Sequence, residues 1–456
     1  MRNILLIEPA YRSKFPPLGL LRISTYHKKQ GDNVAFVRGN SAGFRDQIWD
    51  KIYISSLYTW ELPRTVKSIK YYYNSVLSKS DIIVGGIAAT LMPQYISDRA
   101  NCTIIKGPVN RKGKLGINMP AIYNLVPDYE LLNQVDYQYK PDDAFFCRIT
   151  LGCIRKCNFC AVCQLEPEFI KINKWWMQIE NAKKYYGEKQ NLVFLDNNIL
   201  ALDNFEQVIY KILNLGFTKN SKISNRQRTV DFNQGIDARL ISPIKAKLLS
   251  RLNLKPVRLA FDNDSMKESY TNAVTLLAKQ GFRTYTNYLL YNFNDSPSSL
   301  YKRLKYNIEL SDELGISITG FPMRYVPIND INRQYVSSKW FWRYLRGLQC
   351  ILQATHGVVS PMHDFFNIAF GEHEEEFFEI LSMPDRYIIY REKYKNIEAK
   401  SWKQAFRKLS TDDKIELFNI LEKLNKAKIK NIDDHIYRKY REVLEHYYPN
   451  GKVFSE

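Results

Sequence analysis

Apolar and polar positions alternate along this chain in two rhythms. Short apolar runs mark strands, and between them lie stretches where apolar residues return every third or fourth position, the spacing of helices with one buried face. NILLIEP, from Asn3, reads as a strand closed by a polar turn, and PPLGLLRISTYHKKQGDNVAFV, from Pro16, as a helix, a turn at Gly31 and a second strand. IWDKIYISSLYTW follows as a third strand, TVKSIKYYYNSVLSKS as a helix, and DIIVGGIAATLMPQYI as strand, glycine turn and helix. Strands that alternate with helices pair in parallel and bind ligands at their C-terminal ends, so a Rossmann-like sheet is expected here.

Between residues 101 and 145 the rhythm breaks. Gly107, Pro108, Gly113, Gly116, Pro120, Pro127 and Pro141 interrupt it, which reads as a connector. From Phe145 the alternation resumes. Strands are expected at FFCRITL, NLVFLDN, TVDFNQGID, PVRLAFDN, RTYTNYLLYNF and ISITGFPM, with helices near 173–187, 203–216, 242–253, 265–280 and 296–314. Six such repeats are too few to close an eightfold barrel. After Val326 long helical patterns take over, in VSSKWFWRYLRGLQCILQATHGVV and in the Lys-rich stretch from Asp412 to Tyr448. The expected organisation is therefore 1–140, 141–326 and a helical region 327–456.

Composition narrows the class. At 456 residues and 45% hydrophobic content the chain has room for two or three ordinary cores. No run approaches the ~18 apolar residues of a membrane span, and the N-terminus lacks the apolar core of a secretory signal, so the cytoplasm is the expected compartment. The formal charge of +19 suggests a polyanionic partner, nucleic acid among them. A chain rich in Lys, Asn, Ile and Tyr also matches the codon bias of AT-rich genes, which leaves that partner open.

The chemistry concentrates in RITLGCIRKCNFCAVCQ. Cys153, Cys157 and Cys160 have the spacing Cys-x3-Cys-x2-Cys, Phe159 precedes the third, and Cys163 follows. With seven cysteines in the chain, chance would supply that triplet in roughly 0.002 of sequences this long. Three thiolates can hold three irons of a 4Fe-4S cluster and leave the fourth open. With Cys163, four could instead close an electron-carrier cluster or a zinc site, although zinc usually pairs two separated knuckles. Cys102, Cys147 and Cys350 stand alone and read as core residues.

On these residues the chain resembles the radical S-adenosylmethionine (SAM) superfamily, whose signature is this spacing. The resemblance implies a 4Fe-4S cluster on Cys153, Cys157 and Cys160, SAM chelated at the open iron, an external reductant such as flavodoxin or ferredoxin, and the superfamily's open partial (βα)6 barrel. The N-terminal part resembles the cobalamin-binding-like domain that precedes this barrel in many members, through Pro16, Pro17, Gly19, Gly31, Gly85, Gly86 and Thr90. It departs from that domain in having no Asp-x-His-x-x-Gly, so the histidine that would ligate cobalt is missing. Gly85 and Gly86 suit either a phosphate cradle or a plain tight turn.

A parallel barrel carries its chemistry at strand C-termini. That rule, with the resemblance, points to Asp196 and Asn197, with Asn198, in FLDNN; to Gln234, Asp237 and Arg239; to Asp262, Asn263 and Asp264 in FDND; and to Asn292 and Asn294. Phe159, Asp196, Asn197, Gln234, Arg239 and Asp262 are the expected SAM contacts. FLDNN departs from the superfamily's Gly-Gly-Glu, and NFNDSPSSLYKRL keeps only the turn of its Gly-x-Pro-Gly-x-Thr-x-Glu, with Asp295 and Ser296 placed to cap the next helix. His356 and His363 are possible proton carriers or ordinary structural histidines, and WFWRYLR offers either stacking planes for nucleic acid or a core stripe. The implied reaction is methylation or C–H rearrangement of an unknown substrate.

Overall fold

The computed structural model describes residues 1–116, 119–425 and 434–448, without the side chains of Asp434 and Tyr437. Residues 426–433 of the Lys-rich stretch lie outside the described residues. Two compact units form: Met1–Arg258 with Lys279–Gly281 and Val326–Gln334, and Leu259–Ala278 with Phe282–Tyr325 and Tyr335–Glu456.

In the first unit, β1 (Asn3–Glu8), β2 (Asn33–Arg38), β3 (Lys51–Ser55), β4 (Ile82–Gly85) and β5 (Thr103–Ile104) form one sheet in the order β2-β1-β3-β4-β5, parallel throughout. Period-two alternation sends β1 side chains to both faces. Ile4 and Leu6 join Leu20 and Leu21 of the helix Leu18–Lys29, while Leu5 and Ile7 join Val66 and Ile69 of the helix Leu62–Tyr71. A sheet covered on both faces has apolar strands throughout, which is why NILLIEP is so uniformly hydrophobic. The expected connector does contribute one strand, the two-residue β5 at the sheet edge.

The glycine turn after β4 has a steric origin. Gly86 sits at φ +107, and a Cβ there would lie 2.5 Å from the Ser56 carbonyl oxygen, so the turn needs glycine for close backbone approach.

FFCRITL splits into β6 (Ala144–Cys147) and β7 (Thr150–Leu151), and β7 pairs antiparallel with β8 (Ile170–Lys171). That ribbon clamps the base of the cysteine loop. β9 (Asn191–Phe194) is followed by a small antiparallel pair, β10 (Lys222–Ile223) and β11 (Arg226–Gln227), and by β12 (Thr229–Phe232). β6, β9 and β12 make a parallel sheet in the order β12-β9-β6. The helices Trp176–Tyr186, Phe205–Asn214 and Pro243–Leu249 fall where periodicity predicts them.

In the second unit β14 (Thr284–Tyr291) and β15 (Ser317–Arg324) pair in parallel, in a sheet ordered β13-β14-β15 with β13 (Val257–Ala260). All six expected strands form, as two three-stranded sheets. The helix Pro297–Leu314 begins as expected, Ser296 Oγ accepting from the Ser299 amide at 3.3 Å. The helices from Trp342 to Tyr447 share one core with Trp340, Leu348, Phe377 and Trp402. Trp340 is buried there, with Phe341, Trp342 and Tyr344 packed against the same core, so WFWRYLR is a core stripe. Of the expected strand-end residues here, Asn292 is wholly buried: its Nδ2 donates to the Tyr325 and Tyr335 carbonyls, and its Oδ1 accepts from the Ser337 amide.

Candidate functional site

The cysteine loop leaves β7 through Gly152, which has φ +73 and no room for a side chain. A Cβ would lie 2.1 Å from the Glu168 carbonyl oxygen and 2.9 Å from that of Glu166. The two ends of the loop therefore cross in backbone contact. The Gly152 amide donates to Glu166 Oε2 at 2.7 Å, and that carboxylate also accepts from Arg148 and, at 2.9 Å, from Asn197 Nδ2. Asn197 thus braces the loop.

All four cysteines are half-buried and outside any disulfide among the described residues. The Arg155 amide donates to Cys153 Sγ at 3.3 Å, and Asn198 Nδ2 approaches the same sulfur at 3.7 Å. Cys163 turns elsewhere, its thiol donating to the Cys160 carbonyl at 3.4 Å. Burial pushes the Cys160 thiol up, and the nearby thiols of Cys157, Cys153 and Cys163 push the same way, against a hydrogen bond from the Val162 amide. Several thiolates this close repel one another unless a cation neutralises them, which is what a metal cluster does. Among the described residues no three His, Cys, Asp or Glu side chains are already gathered in metal-binding geometry. The donor set, soft sulfur served by N–H donors, still fits an iron–sulfur cluster.

FLDNN lies beside this loop. Asp196 is 3% exposed, and its Oδ1 accepts from the Ile149 amide at 2.9 Å, the Thr150 amide at 2.5 Å and Thr150 Oγ1 at 2.7 Å. Burial raises its pKa to about 6 despite those bonds and the charge of Arg148. Asn198 Nδ2 also donates to Asp237 Oδ2 at 3.1 Å. Asp237 in turn accepts from Arg155 Nε at 3.1 Å and from Arg239 Nε at 2.7 Å. Burial alone would raise the Asp237 carboxyl, but Arg239 and then Arg155 outweigh it and hold the group below its usual range.

Two acceptors here are buried without a partner, Asp196 Oδ2 and Asn198 Oδ1. Orphaned acceptors beside a sulfur loop suit a ligand that carries N–H donors, as the amino group of SAM does.

The structure thus joins Cys153, Asn198, Asp237, Arg155 and Arg239 in one hydrogen-bonded group, with Asn197 bracing its loop. Phe159 is half-buried on the same loop, and Gln234 is exposed, within 3.4 Å of Asn233 Oδ1. Asp262 belongs to the second unit, where its charge acts on the buried Arg303. His363, also there, pairs with Asp312 at the exposed surface. Sequence reasoning missed Glu166 and Arg148, whose signal was only a charge near the cysteines, and ranked Asn198 below its neighbours.

The crest of the five-stranded sheet is the other ligand position, since the connection reverses between β1 and β3. Glu8 ends β1 fully buried, accepting from Tyr139 and from Arg38 Nε at 3.2 Å; burial raises its carboxyl above the usual range, against those two partners. Tyr11 is 2% exposed beside Tyr58, with ring centroids 5.6 Å apart, and the Arg38 guanidinium lies 3.5 Å over Tyr137.

No protein-family model matches the chain, and no curated protein matches it either. Among solved structures, the cobalamin-dependent SAM radical enzyme OxsB with aqua-cobalamin and SAM bound aligns with a TM-score of 0.55 at 12% identity, over 98% of this chain and 84% of its own. Apo OxsB aligns at 0.53 with the same identity and coverage. This chain shares the fold of OxsB. The radical SAM fold accounts for the cysteine loop at the end of the first strand of the second βα run. Glu8, Tyr11 and Tyr139 already fill the position over β1 and β3, and would have to leave before a planar macrocycle could lie there. The residues present do not fit cobalamin.

Proposed function

We propose that this protein is a radical SAM enzyme acting on a phosphate-bearing substrate. The observation that carries the reading is the Cys-x3-Cys-x2-Cys loop, clamped by β7 and β8, with N–H donors directed at Cys153 Sγ. Cys153, Cys157 and Cys160 would hold a 4Fe-4S cluster, which when bound supplies the electron that splits SAM into methionine and a hydrogen-abstracting 5′-deoxyadenosyl radical.

The chain's own residues do the rest. The Arg155 amide and Asn198 Nδ2 temper the charge on Cys153 sulfur. Asp196 Oδ2 and Asn198 Oδ1, both unpartnered, would accept from the SAM amino group, and Arg239, steered by Asp237, would meet its carboxylate. Phe159 and Gln234 complete the SAM contacts from the loop and the end of β12. Cys163, bonded to the Cys160 carbonyl, stays outside the ligand set. The three-part organisation of 1–140, 141–326 and 327–456 belongs to the same reading, as do a partial barrel and a flavodoxin- or ferredoxin-type reductant.

Anaerobic reconstitution should give about four irons per chain, and dithionite should then release 5′-deoxyadenosine from SAM. Alanine at Cys153, Cys157 or Cys160 should abolish release, and Cys163→Ala should keep it. A reduced-cluster paramagnetic spectrum that SAM leaves unchanged would mean a closed, electron-carrying cluster and would refute the proposal.

A further inference from the structure

The chain's positive charge is not spread evenly. The first unit has 40 Lys and Arg against 22 Asp and Glu, a formal +18, while the second has 26 against 25. Nearly the whole surplus therefore resides in the unit that holds the cysteine loop. Part of it is concentrated beside that loop. Lys106, Arg111 and Lys112 are exposed on a segment that meets the far end of the cysteine loop: Gly107 faces the Leu165 carbonyl, and Arg111 lies 3.8 Å from Glu168. Lys156 is exposed within the loop itself. Of the nearby carboxylates, Glu166 is consumed by Arg148, Gly152 and Asn197, and Glu168 is exposed.

Planar groups border the same rim. The helix Ile87–Leu91 packs against both the short helix Val162–Leu165 of the cysteine loop and the turn Thr59–Glu61. At that turn Trp60 is 43% exposed, Tyr58 stacks on it with centroids 4.7 Å apart, and the Arg333 guanidinium lies 4.7 Å over its ring. Cations that meet phosphates and flat groups that meet bases are the two components of single-strand nucleic-acid binding.

We propose that this face of the first unit binds a nucleic-acid strand, and that the strand carries the substrate of the cysteine site. The second half rests on the radical SAM reading; the first does not. The probes are a 5′-fluorescein 20-nucleotide RNA and a DNA of matching sequence, titrated by anisotropy onto the reconstituted full-length protein across roughly 50–300 mM KCl. Each cation–phosphate contact on a single strand adds about 0.7 to the slope of log affinity against log salt. The triple variant Lys106→Ala/Arg111→Ala/Lys112→Ala should therefore flatten that slope by about 2. Trp60→Ala should weaken binding about tenfold at every salt concentration and leave the slope alone. The second-unit triple Lys267→Ala/Lys400→Ala/Lys423→Ala should change neither.

Preference for one strand names it as the ligand, and equal binding means recognition through the backbone. Absence of binding at 50 mM salt, a slope unmoved by the first triple variant, or strand displaced by phosphatidylcholine–phosphatidylglycerol vesicles would overturn the proposal. SAM cleavage without substrate, measured on the same variant, separates the two readings. Cleavage kept while strand binding falls leaves the enzyme intact and supports the surface; strand binding without any cleavage in the parent protein sinks the enzyme reading and the assignment of its substrate.

Discussion

Replacing Asp196 with asparagine tests whether that residue is held as a buried carboxyl group. Its pKa in the fold is about 6 against an ordinary 3.8, because burial outweighs the bonds from Thr150 and Ile149 and the charge of Arg148. A carboxyl group whose folded value lies above its unfolded one binds its proton more tightly in the fold. Its stabilising share is therefore complete below about pH 4 and is lost as pH rises through about 6. A gap of about two pH units at ~1.4 kcal/mol each makes that loss about 3 kcal/mol. Asparagine keeps the Oδ1 that accepts three hydrogen bonds and sets an amide where Oδ2 has no partner, an offset of about 1–3 kcal/mol that does not vary with pH.

The assay is the difference in melting temperature between Asp196→Asn and the parent from pH 4.5 to 7.5. Taking the difference cancels every other titrating group. In a unit of about 270 residues each kcal/mol moves the midpoint about 2 °C; about 1 kcal/mol of the loss has already occurred by pH 4.5, so the remaining ~2 kcal/mol should swing the difference by about 4 °C in the variant's favour as pH rises to 7.5. A difference that stays flat would show that Asp196 ionises as it does in water, and the burial argument would be wrong.

Other substitutions test the remaining contacts. Gly152→Ala should cost most of the bound iron, since its Cβ meets backbone at 2.1 Å, while Gly187→Ala, with the same φ and open space around it, should keep the iron. Asp237→Asn should leave Arg155 and Arg239 short of a carboxylate and speed iron loss to a chelator; both guanidiniums are about one-third exposed, so the effect should be about 1–2 kcal/mol, below that of a wholly buried pair. In the second unit Arg303→Met should cost about 3–5 kcal/mol, seen as faster proteolysis, because that 1% exposed guanidinium serves the Phe261 and Leu290 carbonyls and Asp295. His363→Ala should fall within about 0.5 kcal/mol. Equilibrium dialysis against aquacobalamin should find no corrinoid retained; one per chain would show that the packed crest opens.

Periodicity carried most of the fold because burial writes itself into sequence. Where a strand is covered on both faces, as β1 is by two helix layers, its interior is a continuous apolar run, here Ile4 to Ile7, and its limits are plain. The misreadings occur where backbone geometry decides instead. FFCRITL looks like one strand, yet Arg148 turns its side chain to Glu166 and the Leu195 carbonyl, and the chain breaks between β6 and β7. β5 escaped notice because a two-residue edge strand has no period to show. The helix expected from Thr65 to Ser80 stops at Tyr71, where Tyr72 and Tyr73 turn their hydroxyls to the Ser41 and Asn101 amides.

The candidate site divides along a similar line. Cysteine spacing is legible because three sulfurs on one loop have few other uses, whereas carboxylates and amides at strand ends all look alike until their partners are known. Asp196, Asn197 and Asn198 are consecutive, but Asp196 latches the strand exit at Thr150, Asn197 braces Glu166, and Asn198 alone reaches Cys153. The three lie past the end of β9 at Phe194, where the chain turns and each side chain takes its own direction, so one position in the polar run meets the sulfur and the others hold the frame that aims it. A substitution at Asn198 should therefore change the spectrum of a bound cluster, whereas one at Asn197 should act through how firmly the loop is held.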